Sequence, residues 1–206
     1  MGGLFFDSLK RQSTFEQALV GPINSNGSSK CKILKCLSEN AYLWPFKLNT
    51  MQRRPRILVC NDDGITAPGI KALAKVAREF GDVTVVAPDS AQSGMGHAIT
   101  IGEPLRMVEE EIEPGFKGWA CSGTPADCVK LATGVLLDEK PDLLISGINH
   151  GANYSISVVY SGTMSAAMEG AIEGIPSIGF SLCDFSHEAD FSASIEVARA
   201  VIAKAL

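Results

Sequence analysis

Three short clusters of oxygen-bearing residues follow apolar segments of the sequence, and their types suit a hard divalent cation. The clusters are residues 61–64 (NDDG), 89–94 (DSAQSG) and 149–153 (NHGAN). Carboxylate, hydroxyl and amide oxygens are the ligands that Mg²⁺ and Mn²⁺ prefer, whereas zinc would require Cys and His sets at ligand spacing. The clusters therefore predict an oxygen-liganded cation site, provided that the fold brings them together.

Asp62 and Asp63 are central to this prediction. Two adjacent carboxylates repel each other, and without a cation one of them is pushed toward protonation. In an extended backbone they would point to opposite faces, but Gly64 permits a turn that lets both face one ion. The alternative is helix capping, in which Asp63 or Thr66 caps the helix that begins at Pro68.

Ser93 and Asn149 would complete the ligand set with a hydroxyl and an amide oxygen. Both atoms suit Mg²⁺ and are poor ligands for zinc. Each residue also has an ordinary explanation, Ser93 as a loop serine and Asn149 as a turn residue before Gly151.

Residues 161–163 (SGT) predict an anion site, because they lead directly into a helix that runs through Met168. Backbone N–H groups at a helix N-terminus, with hydroxyls beside a glycine, bind phosphate readily. The alternative is that Ser161 or Thr163 serves only as an N-cap. Neither a Walker A loop nor a GxGxxG after a strand is present, so no dinucleotide cofactor is predicted.

Strands and helices alternate from Arg56 onward, which favours a mostly parallel sheet with helices on both faces. In such folds the functional groups gather beyond the carboxyl ends of the strands. The predicted strands are 56–60, 82–88, 141–148 and 176–182. The predicted helices are 68–80 closed by Gly81, 124–137 with a capping box of Thr124 and Asp127, 165–173, and 190–206.

Charge and patterning separate residues 1–52 from residues 53–206. The first 50 residues carry six Lys and Arg against three Asp and Glu, and they lack a sustained apolar period. We expect residues 1–52 to be a poorly ordered appendage and 53–206 to form one α/β domain. The appendage is explained either as a targeting or regulatory arm or as an upstream extension before a natural start at Met51.

Composition also narrows the partners and the compartment. The net charge of −5 disfavours a stable nucleic-acid partner, which would need positive charge. No apolar stretch approaches the roughly 18 residues of a membrane span, and the start does not resemble a secretory signal. Six cysteines without a CxxC pair are typical of reduced structural thiols, so we expect a cytoplasmic protein without a membrane partner.

Five segments, in order and spacing, resemble the motif set of the SurE family of metal-dependent 5′/3′-nucleotidases, also called stationary-phase survival proteins. They are residues 61–69 (NDDGITAPG), 86–94 (VAPDSAQSG), 123–129 (GTPADCV), 146–153 (SGINHGAN) and 160–170 (YSGTMSAAMEG). The resemblance covers about residues 55–185. It implies a Rossmann-like three-layer α/β sandwich with a mostly parallel sheet. It also implies a phosphomonoesterase of the acid-phosphatase type that hydrolyses nucleoside 5′-monophosphates, and 3′-monophosphates as a further expectation.

The resemblance also assigns roles to residues. One divalent ion, Mg²⁺ or Mn²⁺, would be held by Asp62, Asp63, Ser93 and Asn149. The phosphate would contact Asn153, Ser161, Gly162 and Thr163. We expect metal-assisted attack of water on phosphorus, with Asp62 and Asp63 as the catalytic carboxylates and Asp62 as ligand and proton acceptor.

The family also implies a homodimer or tetramer. Its members continue into a C-terminal segment that carries an oligomerisation arm, so we expect weaker association of a chain that stops at Leu206.

Two alternatives to an active nucleotidase remain: a catalytically impaired SurE-like fragment and a phospho-receiver-like regulatory domain. A receiver needs a phosphoacceptor Asp after a middle strand, where this chain has Asn149. The NDDG segment likewise lacks the DxDx[TV] nucleophile of haloacid-dehalogenase phosphatases.

Overall fold

The structure is a computed structural model that describes residues 17–20, 53–186 and 188–206. Its strands are β1 (Gln17–Val20), β2 (Arg56–Cys60), β3 (Asp82–Pro88), β4 (Met107–Glu113), β5 (Phe116–Cys121), β6 (Leu143–His150) and β7 (Ser177–Leu182). Its α-helices are α1 (Pro68–Ala77), α2 (Pro125–Leu131), the single turn α3 (Ser157–Tyr160), α4 (Gly162–Ile172) and α5 (Ser192–Ala205). A π-helical turn, Ala132–Leu136, follows α2.

The strands form one sheet in the order β1-β7-β6-β2-β3-β5-β4. Every neighbouring pair is parallel except β4 and β5, which form an antiparallel hairpin at one edge. The predicted three-layer α/β fold with a mostly parallel sheet is confirmed. Because β2 and β6 lie side by side near the middle, their carboxyl ends meet at one edge.

The alternation of side chains along β2 divides the core between the two faces of the sheet. Ile57 and Val59 pack in the cluster that contains the buried residues of α1 and α5. Leu58 and Cys60 pack in the cluster on the other face, with α2 and α4. A strand buried on both faces is a continuous apolar run, which is why RILVC could be recognised as a central parallel strand.

Several helix boundaries differ from prediction. The helix predicted over 124–137 leaves α-geometry after Leu131, and the Leu137 N–H then donates to the Ala132 carbonyl across a π-helical turn. The helix predicted to begin at residue 165 begins at Gly162, with Ser161 as its N-cap. The second correction matters for function, because it places Gly162 and Thr163 inside the first turn of α4.

The predicted C-cap role of Gly81 is wrong. Helix α1 ends at Ala77, and Arg78 caps it in right-handed helical conformation. Gly81 instead passes so close to the Pro55 carbonyl oxygen that a Cβ would collide with it. Gly69 has a similar packing role, because α1 crosses β6 there and a Cβ would collide with the Ile148 carbonyl oxygen.

The β4–β5 hairpin and β1 were not predicted. In β4 (MVEEEIE) only Ile112 is buried, so the strand has almost no apolar alternation to identify it. The Pro114–Gly115 pair, with Gly115 at φ 77°, is the turn signal that could have indicated the hairpin. Strand β1 lies within the predicted appendage and pairs with β7; residues 1–16 and 21–52 lie outside the described residues.

Two further predictions concern cysteines and membranes. The cysteines that the structure describes are free, as predicted, whereas Cys31 and Cys36 lie outside the described residues. Among the helices of the described ranges, none combines the length and apolarity that a membrane crossing requires.

Candidate active site

Asp62 occupies the carboxyl end of β2, and only 4% of it is exposed. The Thr163 hydroxyl donates a hydrogen bond to its Oδ1 oxygen. The backbone N–H of Gly162 also hydrogen-bonds to this carboxylate. The structure therefore brings two predicted phosphate-binding residues into direct contact with a predicted metal ligand.

Gly162 is required by this contact. A Cβ at residue 162 would lie 2.5 Å from the Asp62 Cβ and 2.9 Å from Asp62 Oδ2. No larger residue fits without moving the carboxylate or the start of α4. The glycine between the two hydroxyl residues thus lets the helix N-terminus approach the carboxylate closely.

Burial raises the pKa of the Asp62 carboxyl above its ordinary value. The hydrogen bond from Thr163 opposes this shift, whereas the neighbouring charge of Asp63 adds to it. A carboxylate in this environment accepts a proton more readily than an exposed aspartate does. It would also be stabilised in its charged form by a cation.

Asp63 lies beside the end of β6. The His150 backbone N–H is 3.5 Å from Asp63 Oδ2, and His150 Nδ1 is 3.7 Å from the same oxygen. The imidazole packs edge-on against Phe191, with ring centroids 5.1 Å apart. The capping alternative for Asp63 and Thr66 is wrong, because α1 has Ala67 as its N-cap and no side-chain cap.

The side-chain amide nitrogen of Asn149 is held by two backbone carbonyls. Its Nδ2 group donates to the His150 carbonyl at 3.1 Å and to the Gly151 carbonyl at 2.8 Å. Both amide protons are thus engaged, which leaves Oδ1 as the atom available to a cation. The turn role and the ligand role of Asn149 are therefore compatible.

Ser93 lies in an exposed loop that follows β3. The preceding residue, Gln92, donates its backbone N–H to the Asp62 carbonyl at 2.7 Å. Farther along, the loop is tied down at α2, where the Thr124 hydroxyl donates to the Ala98 carbonyl and the Thr100 backbone and hydroxyl donate to Asp127. Thr124 and Asp127 form the predicted capping box, which is confirmed, and they anchor this loop as well.

Ser161 is the N-cap of α4, since its hydroxyl oxygen accepts from the Met164 N–H at 3.1 Å. A hydroxyl that accepts one hydrogen bond keeps its own proton for donation, so capping does not exclude phosphate binding.

The structure places Asn153 against β7, where its amide donates to Ser181 Oγ at 2.9 Å. Its role toward phosphate stays a prediction.

Glu169 supports the site, although sequence reasoning missed it. It is buried on α4 and holds His97 Nε2 at 2.7 Å and Lys130 Nζ at 2.6 Å. The bond to His97 connects α4 to the loop that carries Ser93. A glutamate within the otherwise uncharged segment 161–172 is the signal that could have indicated a buried ion pair.

The predicted ligand set fits a hard cation by its chemistry. Its members are two carboxylates, an amide oxygen and a serine hydroxyl, all donors that Mg²⁺ and Mn²⁺ accept. In the described part of the chain, no group of three or more His, Cys, Asp or Glu side chains is arranged to hold a metal. The set draws only two ligands from those types, so Ser93, Asn149 and water would have to supply the others.

These features define a doubly wound α/β protein with a carboxylate pair beside a helix N-terminus at the carboxyl edge of its sheet. The family described as Survival protein SurE matches residues 57–206. The chain therefore belongs to the SurE family, which confirms the resemblance of its motifs.

Individual relatives agree with this assignment. The chain is 65% identical over 140 residues to "5'-nucleotidase SurE" of Cytophaga hutchinsonii, covering 68% of this chain and 54% of that protein. It is 49% identical over 154 residues to "5'-nucleotidase SurE" of Bacteroides thetaiotaomicron, covering 75% and 60%.

A solved structure of a SurE protein from Aquifex aeolicus has a TM-score of 0.65 at 46% identity, covering 73% of this chain and 59% of that one. The chain thus spans between half and two thirds of the length of these relatives.

Proposed function

We propose that this chain carries the catalytic site of a divalent-metal-dependent nucleotidase, which hydrolyses nucleoside 5′-monophosphates to nucleoside and phosphate. Activity on 3′-monophosphates and a cytoplasmic location belong to the same proposal. The names of the curated relatives support the reaction class. The free thiols among the described cysteines are compatible with a reducing compartment.

One observation carries the proposal: the buried carboxylate of Asp62 lies against the N-terminus of α4. A helix N-terminus attracts phosphate, but a carboxylate beside it repels phosphate. A divalent cation between the two anions removes that repulsion. The arrangement is therefore suited to phosphate only when a cation is held at the same place.

Asp62, Asp63, Ser93 and Asn149 would hold this cation. A divalent ion bound there would polarise a phosphoryl oxygen and make water a better nucleophile at neutral pH. Asp62 would accept the proton of the attacking water, which is consistent with the raised pKa of its buried carboxyl.

The first turn of α4 would bind the phosphate. Ser161 keeps its hydroxyl proton for a phosphate oxygen, and the backbone N–H of Thr163 has no acceptor within the helix. The Gly162 N–H already hydrogen-bonds to Asp62, so Gly162 would contribute chiefly by allowing the close approach of the helix start. The Thr163 hydroxyl proton is already given to Asp62, so this side chain would chiefly position the carboxylate. Donors fixed before the reaction stabilise the charge that develops on the phosphoryl oxygens.

The test is Asp62→Asn, which removes one charge from the ligand set and keeps its shape. We expect a loss of at least about 10²-fold in kcat for AMP in the presence of Mn²⁺, because metal ligation supplies several kcal/mol of transition-state stabilisation. EDTA should abolish the wild-type activity. Asp82→Asn is the matched control, because Asp82 is exposed at the opposite end of β3 and carries the same charge.

Near-wild-type phosphate release by purified Asp62→Asn, or equal rates with EDTA and with Mn²⁺, would overturn the proposal. A panel of 5′- and 3′-monophosphates in the same assay would define the preferred ester. Assembly into a homodimer or tetramer stays a prediction, which sedimentation velocity would test.

A further inference from the structure

Exposed apolar side chains are concentrated in two loops beside the candidate active site. Within the described residues eleven large apolar side chains are exposed, and seven of them belong to segments 95–101 and 154–160. Met95 is 49% exposed and Tyr160 is 62% exposed. Helix α3, which ends at Tyr160, has no buried residue. Apolar exposure concentrated in this way is typical of a binding surface.

The two segments are joined to each other. The Gly96 N–H donates to the Tyr160 carbonyl at 3.1 Å. A Cβ on Gly96, which has φ 58°, would lie 3.0 Å from the Val159 carbonyl oxygen. Met95, Val159 and Tyr160 therefore flank one fixed contact, and we refer to these three residues as the Met95–Tyr160 surface.

This surface adjoins both parts of the candidate site. Met95 follows the predicted ligand Ser93 by two residues, and Tyr160 directly precedes Ser161. Since one residue spans at most about 3.6 Å, each lies within about 7 Å of its site neighbour along the backbone. That separation is comparable to the reach of a ribose between a phosphate and a base.

The two segments that carry this surface are also poor in charged residues. Residues 90–102 and 151–168 contain no Asp, Glu, Lys or Arg, and His97 is their one histidine. An uncharged aromatic ring can pack there without displacing a charge from water. The tyrosine ring stacks favourably on aromatic rings, and the methionine sulfur makes favourable contacts with them.

We propose that the Met95–Tyr160 surface binds the nucleobase of the substrate, with Tyr160 as its main contact. This inference rests on the proposed function, because it requires a nucleotide phosphate at the start of α4. A purine or pyrimidine is neutral, has apolar faces and is tethered by the ribose to that phosphate. Stacking of this kind tolerates different bases. The surface would therefore favour nucleotides over other phosphomonoesters without selecting one particular base.

The experiment compares AMP with ribose 5-phosphate, which is the same ester without its base. Both are assayed with Mn²⁺ on the wild type and on Tyr160→Ala, Tyr160→Phe and Met95→Ala. Tyr160→Ala should lower kcat/KM for AMP about tenfold, chiefly through KM, and change that for ribose 5-phosphate less than about twofold. Tyr160→Phe should keep the wild-type preference because it keeps the ring.

Val135→Ala is the control, since Val135 is also an exposed apolar residue but lies on the π-helical turn after α2. Val135→Ala should leave kcat/KM unchanged for both AMP and ribose 5-phosphate. An AMP to ribose 5-phosphate ratio that Tyr160→Ala leaves at the wild-type value would overturn the inference while leaving the proposed function intact. Suppose that Tyr160→Ala changes the sedimentation coefficient but not this ratio. The surface would then be a contact between copies of the chain, and the inference would fail.

A wild type that hydrolyses neither ester would contradict the proposed function instead. Equilibrium dialysis of labelled AMP with Mn²⁺ then decides the inference by itself. Binding that falls about tenfold in Tyr160→Ala and is displaced by adenosine from the wild type would support it. Equal binding by the two proteins, or no binding by the wild type, would overturn it.

Discussion

Replacing Thr163 with valine should destabilise the protein by more than a lost surface hydrogen bond would. Valine has nearly the same shape as threonine but cannot donate a proton. Thr163 is completely buried, and its hydroxyl donates to the buried carboxylate of Asp62. In the variant, Asp62 Oδ1 would lose this donor where water has little access.

The magnitude follows from the kind of bond that is lost. Hydrogen bonds to charged groups contribute about 1.5–3 kcal/mol, and a buried acceptor left unsatisfied costs a similar amount. We expect Thr163→Val to lower the free energy of unfolding by about 2 kcal/mol. For a chain of this size that corresponds to a decrease in Tm of about 4–8 °C.

The control is Thr163→Ser, which keeps the hydroxyl and removes the methyl group that lies near Gly179. Loss of one buried methyl costs about 0.8 kcal/mol, so the serine variant should be the more stable of the two by about 1 kcal/mol. The measurement is urea unfolding at pH 8 with EDTA, which removes any contribution from bound cations. A valine variant as stable as the serine variant would refute this reasoning.

A double-mutant cycle adds a second check on the same contact. In an Asp62→Asn background the Thr163 hydroxyl donates to a neutral amide oxygen, so Thr163→Val should cost only about 1 kcal/mol. The coupling between the two positions should therefore be about 1 kcal/mol. Strict additivity would show that the hydroxyl acts through some other neighbour.

Two further predictions concern packing and pH. Gly69→Ala should lower stability by about 1–3 kcal/mol in urea unfolding, because its Cβ would collide with the Ile148 carbonyl oxygen. Gly134→Ala, with nothing within 4 Å, should be neutral, and equal effects would contradict the packing argument. Burial would raise the pKa of Asp142, but hydrogen bonds from Arg53 and from the Arg56 N–H outweigh it and lower the pKa. Asp142→Asn should therefore cost about 1 kcal/mol at pH 7, and this difference should disappear as the pH falls below about 4 and through the folded-state pKa; a difference that grows in acid would contradict it.

Much of the fold could be predicted from local pattern. Buried parallel strands such as β2 and the first half of β6 are short apolar runs, and helices such as α1 begin at recognisable residues, here Pro68. Thr124 and Asp127 show the capping box directly in the sequence. These features depend on residues a few positions apart, so the order of residues alone is enough to indicate them.

The candidate ligand set could be predicted from the sequence for a related reason. The carboxyl ends of parallel strands share one edge of the sheet, so residues at or just after the carboxyl ends of β2, β3 and β6 are brought toward one another whatever their side chains. Sequence therefore indicated Asp62, Ser93 and Asn149 together. It could not decide between helix cap and site for residues such as Asp63, because both uses require the same polar types.

Only the tertiary structure decided how these residues contact one another. Asp62 and Thr163 are 101 residues apart, and their hydrogen bond depends on where α4 packs against the end of β2. Gly162 is needed because that packing leaves no space for a Cβ beside Asp62. Likewise, the pKa of Asp62 is raised by burial, which is a property of everything packed around the carboxyl group and not of its neighbours in the chain. Contacts between distant segments arise from the packing of whole elements, and no local pattern encodes them.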